Sequence, residues 1–337
     1  MLLLVCLVVL AVLAAAPAQA TFPGENGRIA YTWHTGGEGF EDGPTPRLVG
    51  VFSVRRDGSG RQLVARGGTR PRYAPDGRRI AFLRSFRLWV ARGDGSRAHP
   101  VTPTGWSIVS YDWSPRGTRL AFVRNFVKGG SALYSVGTDG SEPRRLVKAP
   151  QPLEVFPGAW SPDGKAIVYQ HNSGGSLVRI FRDGRATTLS RVSNGPAWSR
   201  RGLIAYTTVV PGEGRSQVCI RRPNAMAPDR CLAFPEASVS GAGWSPDGSR
   251  LMFLYQGQGP GEIWTARPDG TVLTRAPRAN VVPILSPAGD RLAFSEMRNQ
   301  GGLAFQDLWV MRLDGSGARR LVRGGQATQP DWQPLRR

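Results

Sequence analysis

The chain has 337 residues, with 44 Lys and Arg against 24 Asp and Glu, and so carries a formal charge of +20. A charge of that size bears on partners and solubility and leaves the fold open. Lys128, Lys148 and Lys165 are the only lysines, so 41 of the 44 basic residues are Arg. They are scattered over turns instead of gathered on one helix, which argues against a nucleic-acid partner and for adhesion to anionic wall polymers or lipid headgroups.

Met1 to Ala16 form an apolar run, followed by Pro17-Ala18-Gln19-Ala20, in which Ala18 and Ala20 make an A-x-A type cleavage site. Residues 1-20 are expected to be a signal peptide, and 21-337 an exported domain, periplasmic, secreted or cell-wall associated. The run is shorter than the roughly 18 to 20 apolar residues a spanning helix needs, so no stable membrane span is expected and an uncleaved anchor is the alternative. No Lys or Arg precedes the run, which leaves a start codon further upstream open. Cys6 lies inside the run, whereas a lipid anchor would need its Cys after it.

One phrase then recurs seven times, in three parts. The first part is a short strand ending in an aromatic and a turn: Tyr73-Ala74-Pro75-Asp76-Gly77, Trp113-Ser114-Pro115-Arg116-Gly117, Trp160-Ser161-Pro162-Asp163-Gly164, Trp198-Ser199-Arg200-Arg201-Gly202, Trp244-Ser245-Pro246-Asp247-Gly248, Leu285-Ser286-Pro287-Ala288-Gly289, and Trp332-Gln333-Pro334. Successive copies stand 40, 47, 38, 46, 41 and 47 residues apart, the interval of one four-stranded propeller blade. The second part is a brief apolar strand, as in Ile80-Ala81-Phe82 or Leu251-Met252-Phe253, and its first copy, Ile29-Ala30-Tyr31, has no first part before it. The third is a strand entering an Asp-Gly turn and a polar strand, as in Leu308-Trp309-Val310 to Asp314-Gly315 and Arg319-Arg320-Leu321. Asp-Gly between strands is a strong hairpin signal.

The turn chemistry is consistent throughout. Pro presets φ for the second turn position, Asp tolerates the next, and Gly accepts the positive φ that closes the turn. Eight of the ten tryptophans fall on repeat positions, before the first turn or in the third strand, where they are expected to pack between blades. The repeats open at a second strand and stop after a first strand. Residues 27-66 with 327-335 are therefore expected to form one blade, and the chain to be all-β: a single seven-bladed β-propeller of four-stranded blades, closed by its C-terminal strand, with six or eight blades as alternatives. Closure would remove an exposed sheet edge. A monomer is expected.

Phrases such as Trp160-Ser161-Pro162-Asp163-Gly164 with Asp139-Gly140-Ser141 resemble the WD40-like propeller repeat of the TolB family, over essentially all of residues 27 to 334. The resemblance implies a propeller fold. The sequence differs from the family's namesake in lacking the amino-terminal α/β domain through which that protein engages its partners, and in counting seven blades instead of six. No Trp-Asp dipeptide occurs, so the array departs from true WD40 repeats.

In a blade whose strands run outward from the channel, the tight Pro-Asp-Gly and Asp-Gly turns share one face, and the second-to-third loops share the other. The loops Thr32 to Gly50, Val123 to Ala132, Gln170 to Ser176, Thr207 to Ser216, Leu254 to Gly261 and Ser295 to Gln306 vary in length and chemistry, which places a binding surface there. The first of them carries Trp33, His34, Glu38, Phe40, Glu41 and Asp42, a possible binding loop, against which stands a solvated loop whose carboxylates offset nearby Arg. Toward the channel, Arg72, Asp112 and Asp331 precede the repeat aromatic where Ala159, Ala197 and Gly243 stand in other blades. They are read as a polar channel lining or an inter-blade ion pair.

Cys219 and Cys231 bracket Pro223 to Asp229 in the blade whose first turn reads Ser-Arg-Arg-Gly and whose second turn lacks Asp-Gly. A disulfide stapling that hairpin is expected in an exported chain. His34, His99 and His171 have no metal-ligand spacing with one another or with the cysteines, and no G-x-S-x-G elbow occurs. Similar propellers precede the hydrolase domain of prolyl-oligopeptidase-type peptidases, but here the repeats run to the last residues and no catalytic domain is expected. The reading is thus a non-catalytic scaffold without cofactor, binding a protein partner or an anionic envelope polymer. The alternative is a propeller enzyme of lyase or lactonase type with a metal in the channel, which would need carboxylates or imidazoles from several blades converging at its mouth.

Overall fold

The computed structural model describes residues 22–35, 49–149, 155–172, 176–191, 193–224, 229–234, 236–258, 261–277, 283–300 and 303–336. The expected signal segment and the loop positions Glu38, Phe40, Glu41 and Asp42 lie outside the described residues. Among the described residues every regular element is a strand, and no helix is long and apolar enough to cross a membrane. Three strands come first: β1 (Glu25–His34), β2 (Val49–Val54) and β3 (Gln62–Arg66). Five antiparallel four-stranded sheets follow, each built from consecutive strands. They are β4 (Gly68–Tyr73), β5 (Arg79–Arg84), β6 (Arg87–Arg92) and β7 (His99–Pro100); β8 (Ser107–Trp113), β9 (Arg119–Asn125), β10 (Ser131–Gly137) and β11 (Arg144–Ala149); β12 (Val155–Trp160), β13 (Ala166–Asn172), β14 (Ser176–Arg182) and β15 (Arg185–Arg191); β16 (Ser193–Trp198), β17 (Ile204–Val209), β18 (Ser216–Arg221) and β19 (Arg230–Leu232); and β20 (Ser238–Trp244), β21 (Leu251–Gln256), β22 (Glu262–Ala266) and β23 (Val272–Pro277). Last come β24 (Ile284–Leu285), β25 (Arg291–Gln300), β26 (Leu303–Arg312), β27 (Arg319–Val322) and β28 (Gln326–Leu335). With β1 to β3 these make an eight-stranded sheet, in which β28 pairs antiparallel with β1 and meets β26 through one parallel pair, Gln306 with Gln326.

The repeated turn explains each hairpin between first and second strands. Its Gly takes φ between 66° and 79° at Gly77, Gly117, Gly164, Gly202, Gly248 and Gly289, and its amide donates back to the carbonyl three residues earlier. Gly77 has a second reason to be Gly: a Cβ there would stand 1.9 Å from the Pro334 carbonyl oxygen of β28. The serine after the tryptophan, which turn propensity leaves without a role, closes the motif. Its hydroxyl accepts the amide of the residue opening the second strand, from Arg119 to Ser114 at 3.0 Å, Ala166 to Ser161 at 2.8 Å and Arg250 to Ser245 at 2.9 Å. These serines are buried, and the bond satisfies an amide that would otherwise cost about 1 to 3 kcal/mol.

Apolar residues of neighbouring sheets interlock to form the core. Trp113 packs with Leu83, Leu88 and Val90 of the preceding sheet, Trp244 with Ala205 and Val218, and Trp332 with Ile284, Leu308 and Val310. Two indoles also bond across: Trp113 Nε1 donates to the Arg72 carbonyl at 3.0 Å, and Trp244 Nε1 to that of Ala197 at 3.1 Å. At the rim, His99 Nε2 lies 3.0 Å from the Thr138 carbonyl oxygen, and the Arg79 guanidinium donates to the Gly117 carbonyl at 2.8 Å. Both ties join the second sheet to the third.

Cys219 and Cys231 stand directly opposite in the β18–β19 register, and a disulfide joins them. Strands run further into the expected loops than propensity implied. The stretch from Ser295 to Gln306 is mostly hairpin, with β25 and β26 paired from Arg291–Arg312 out to Gln300–Leu303. No Gly or Pro interrupts residues 291–300, so nothing stops the ladder before Gly301-Gly302.

Candidate binding site at the propeller axis

The first strands β4, β8, β12, β16, β20 and β24 each pair with a single neighbour, and β28 meets a second one only through the Gln306–Gln326 pair. That explains the prolines two places before the repeat aromatic, at Pro71, Pro196, Pro283 and Pro330, since a free edge needs no amide. One place further back the chain bulges. Gly195 and Gly241 supply the required positive φ in two sheets, but Arg70 (φ 53°) and Gln329 (φ 55°) adopt it in two others. Both are pinned: the Arg70 amide donates to Thr32 Oγ1 at 2.8 Å, and Thr32 Oγ1 donates to Gln329 Oε1 at 3.1 Å.

The residue directly before the repeat aromatic differs in chemistry from sheet to sheet. Asp331, Arg72 and Asp112 come from β28, β4 and β8, whereas Ala159, Ala197, Gly243 and Ile284 occupy the equivalent place elsewhere. Asp331 is 5% exposed; its Oδ2 accepts the Tyr73 amide at 2.7 Å, and its Oδ1 lies 4.0 Å from Arg72 Nη1. The carboxylate therefore ties β28 to β4. Burial pushes it from the usual 3.8 up to about 7, opposed by Arg72 and the Tyr73 amide and reinforced by the charge of Asp112. Asp112, half-buried, rises to about 6 for the same first reason, with Arg72 again opposing. Beside them Tyr111 is buried, donates to the Ala81 carbonyl at 2.9 Å and to that of Arg70, and has its phenol pushed well above 10 by burial. Arg72, Asp112 and Asp331 thus belong to one electrostatic group, and they include an inter-sheet ion pair.

Beside this polar side, and sharing Asp112 with it, lies a cavity of about 270 Å³. Its walls are Trp113, Trp160, Trp198 and Trp244 with Pro115, Pro162, Pro196 and Pro246; the exposed Arg116 and Arg200 stand beside it, and Phe22 from the segment before β1 reaches it. Trp113 and Trp244 spend their N–H groups on main-chain carbonyls, whereas Trp160 and Trp198 have buried N–H groups with no acceptor among the described residues. The cavity opens beside the tight turns, on the face opposite the variable loops.

No family model matches the chain. Over 201 residues it is 34% identical to the Tol-Pal system protein TolB of Anaeromyxobacter dehalogenans, an alignment covering 56% of this chain and 42% of that protein. Among solved structures, TolB from Acinetobacter baumannii superposes with a TM-score of 0.58 at 17% identity, covering 93% of this chain and 68% of that one. The chain is a TolB-like β-propeller. The β-propeller domain of the Trilobed protease from Pyrococcus furiosus has the same fold, with a TM-score of 0.66 at 15% identity, covering 92% of this chain and 98% of the other. The TolB-like chain spans less than half the length of the curated relative it matches.

The remaining expected positions of the TolB-like propeller divide between structural and unassigned roles. Trp33 packs edge-on against Phe52 at 5.5 Å, with the Arg61 guanidinium 4.4 Å over its ring, so it serves the first sheet. His34 ends β1, paired with Val49 and Gln326. His171 is buried beside Arg179, and burial with that charge lowers its pKa. The three histidines sit on three different sheets, and no group of three or more His, Cys, Asp or Glu that could hold a metal occurs among the described residues. The turn carboxylates of Asp57, Asp94, Asp139 and Asp314 accept the amide of the residue two places on, which holds each below the usual range. A second hollow on the same face, where the end of β28 meets the turn after β4, is lined by Arg28, Arg78, Arg79, Arg92 and Arg336 together with Asp76 and Asp94. Phe22 and this hollow had no sequence signal beyond position, because both depend on which turns become neighbours.

Proposed function

We propose that the chain is an exported, non-catalytic binding scaffold, built as a closed seven-bladed propeller, whose axial cavity takes an extended segment of a protein partner. In this reading β24 to β27 form one blade, β28 with β1 to β3 form another, and the Gln306–Gln326 pair is their junction. The packing of Ile29 and Tyr31 with Leu308 and Val310 supports the junction, and the bond from the Tyr73 amide to Asp331 supports closure on the other side.

The observation that carries the function is the cavity of four tryptophans and four prolines. Its size fits one or two apolar side chains, and its walls are preorganised by inter-sheet packing. An anionic envelope polymer is served by the arginine hollow, where Arg78, Arg92 and Arg336 form no ion pair among the described residues. Panning a phage-displayed random peptide library on the purified protein tests the cavity. It should enrich peptides with aromatic or proline residues that bind Ala159→Arg at least about tenfold more weakly than wild type. Enrichment of peptides that bind both proteins alike would overturn the assignment.

A further inference from the structure

The face opposite the cavity presents protrusions where the other presents hollows. Arg84 pairs with Arg87, so Ser85 and Phe86 alone make the β5–β6 turn, and both take positive φ, 48° and 58°. Hairpins of this length favour Asn-Gly or Asp-Gly because each central residue must adopt the left-handed region. A phenylalanine there is held against its backbone preference, and residues in that state cluster at functional surfaces. Its side chain gains no burial in return, being 70% exposed.

A second protrusion stands next to it. The Phe86 carbonyl accepts the Ile108 amide at 2.8 Å, and Ile108 pairs with Arg124, which brings the β9–β10 hairpin alongside. At its tip Val127 is fully exposed. Behind the tips, cations lie on aromatic faces: Arg84 4.7 Å over Trp89, and Arg124 4.2 Å over Trp106. Arg84, Arg87, Arg124 and Lys128 make the surround, and residues 84–92, 101–110 and 124–130 contain no Asp or Glu.

We propose that this corner, with Phe86 and Val127 as its tips, is a docking surface for an anionic lipid bilayer. Apolar tips with cations beside them, in segments that contain no Asp or Glu, suit the interface, where the tips enter the headgroup and acyl boundary and the cations meet lipid phosphates. A protein partner would more readily be met by a groove, and both hollows open on the other face. The surface is independent of the cavity and of its occupant.

Co-sedimentation of the purified protein tests it, with vesicles of phosphatidylcholine alone or of equal parts phosphatidylcholine and phosphatidylglycerol. Wild type should partition onto the anionic vesicles about tenfold or more above the neutral ones. Phe86→Gly should lower that partitioning on the order of tenfold. It should also leave the thermal midpoint unchanged or raised, because Gly suits the positive φ. Phe86→Trp should retain binding, Val127→Ser should reduce it, and Arg92→Ser on the opposite face should leave it unchanged. Equal binding by wild type and Phe86→Gly would show mere charge adhesion and overturn the proposal. Failure to bind anionic vesicles would overturn it too, and would leave the tips to a protein partner. If Phe86→Gly loses its fold, Val127→Ser decides by the same two readings.

Discussion

Replacing Asp331 with Asn separates the fold role of the axial carboxylate from its charge. The side chain is 5% exposed, and its carboxyl is raised from 3.8 to about 7, mainly by burial. A shift of about 3 units at 1.36 kcal/mol each corresponds to up to about 4 kcal/mol by which folding disfavours the ionised form. The sign follows from proton counting. Below about pH 4 the group is protonated in both states and costs nothing; between about pH 4 and 7 the unfolded chain releases the proton while the folded chain keeps it, so stability falls as pH rises; above about pH 7 the loss levels off. Asn is neutral throughout and can still accept the Tyr73 amide through its carbonyl oxygen. Asp331→Asn should therefore come close to wild type near pH 3.5 and exceed it near pH 8 by about 1 to 4 kcal/mol. Guanidinium unfolding followed by tryptophan fluorescence at both pH values reads the difference. His171, lowered, is present in both proteins and cancels in the comparison, whereas the repulsion between Asp112 and Asp331 does not cancel and is part of the shift at Asp331. A gap between wild type and variant that is the same at both pH values would refute the reasoning.

Gly77→Ala combines a positive φ with a Cβ placed 1.9 Å from the Pro334 carbonyl oxygen, so it should cost about 2 kcal/mol or more in urea unfolding, whereas Gly289→Ala, whose added Cβ meets nothing within 4 Å, should cost less. Converting Cys219 and Cys231 together to Ser should lower stability by about 2 to 4 kcal/mol and make unfolding insensitive to reductant; a wild-type midpoint that reductant does not move would count against a stabilising bond. Elemental analysis of the protein dialysed without chelator should return no stoichiometric metal. A one-to-one metal would instead support an enzyme reading, with Asp112 and Asp331 as the first ligands to replace by Asn.

The repeat was legible because its turn chemistry is local. Pro, Asp and Gly at fixed offsets define a hairpin whatever surrounds it, and the interval between copies then sets the blade. The placing of the trio Arg72, Asp112 and Asp331 on β4, β8 and β28 was legible for a related reason, since each stands directly before the repeat aromatic. The trio's partnerships were not. That Asp331 would accept the Tyr73 amide follows from β28 lying beside β4, which no spacing encodes. The serine of each turn escaped notice because its bond runs to an amide across the hairpin. The reach of β25 and β26 was underestimated because polar Glu296 and Asn299 read as loop, although a ladder needs backbone pairing and no apolar side chain. The cavity lies on the face of the tight turns, where short uniform loops signalled structure alone. Phe86 was invisible for the opposite reason: Ser-Phe is not a turn sequence, and only the observed φ values mark it as strained.

The pairing of β1 with β28 sets a timetable for synthesis. Ile29 and Trp332 are register partners separated by about nine-tenths of the chain, so β1 leaves the ribosome long before the strand it pairs with. Until residues 326–335 arrive, the edge of β1 that will face β28 is an open template for other chains. Contacts of such separation form slowly, and the waiting intermediate is the one exposed to misassembly. A short deletion at the C-terminus should therefore act less as a local loss than as a permanent arrest at that stage, with aggregation as its visible result.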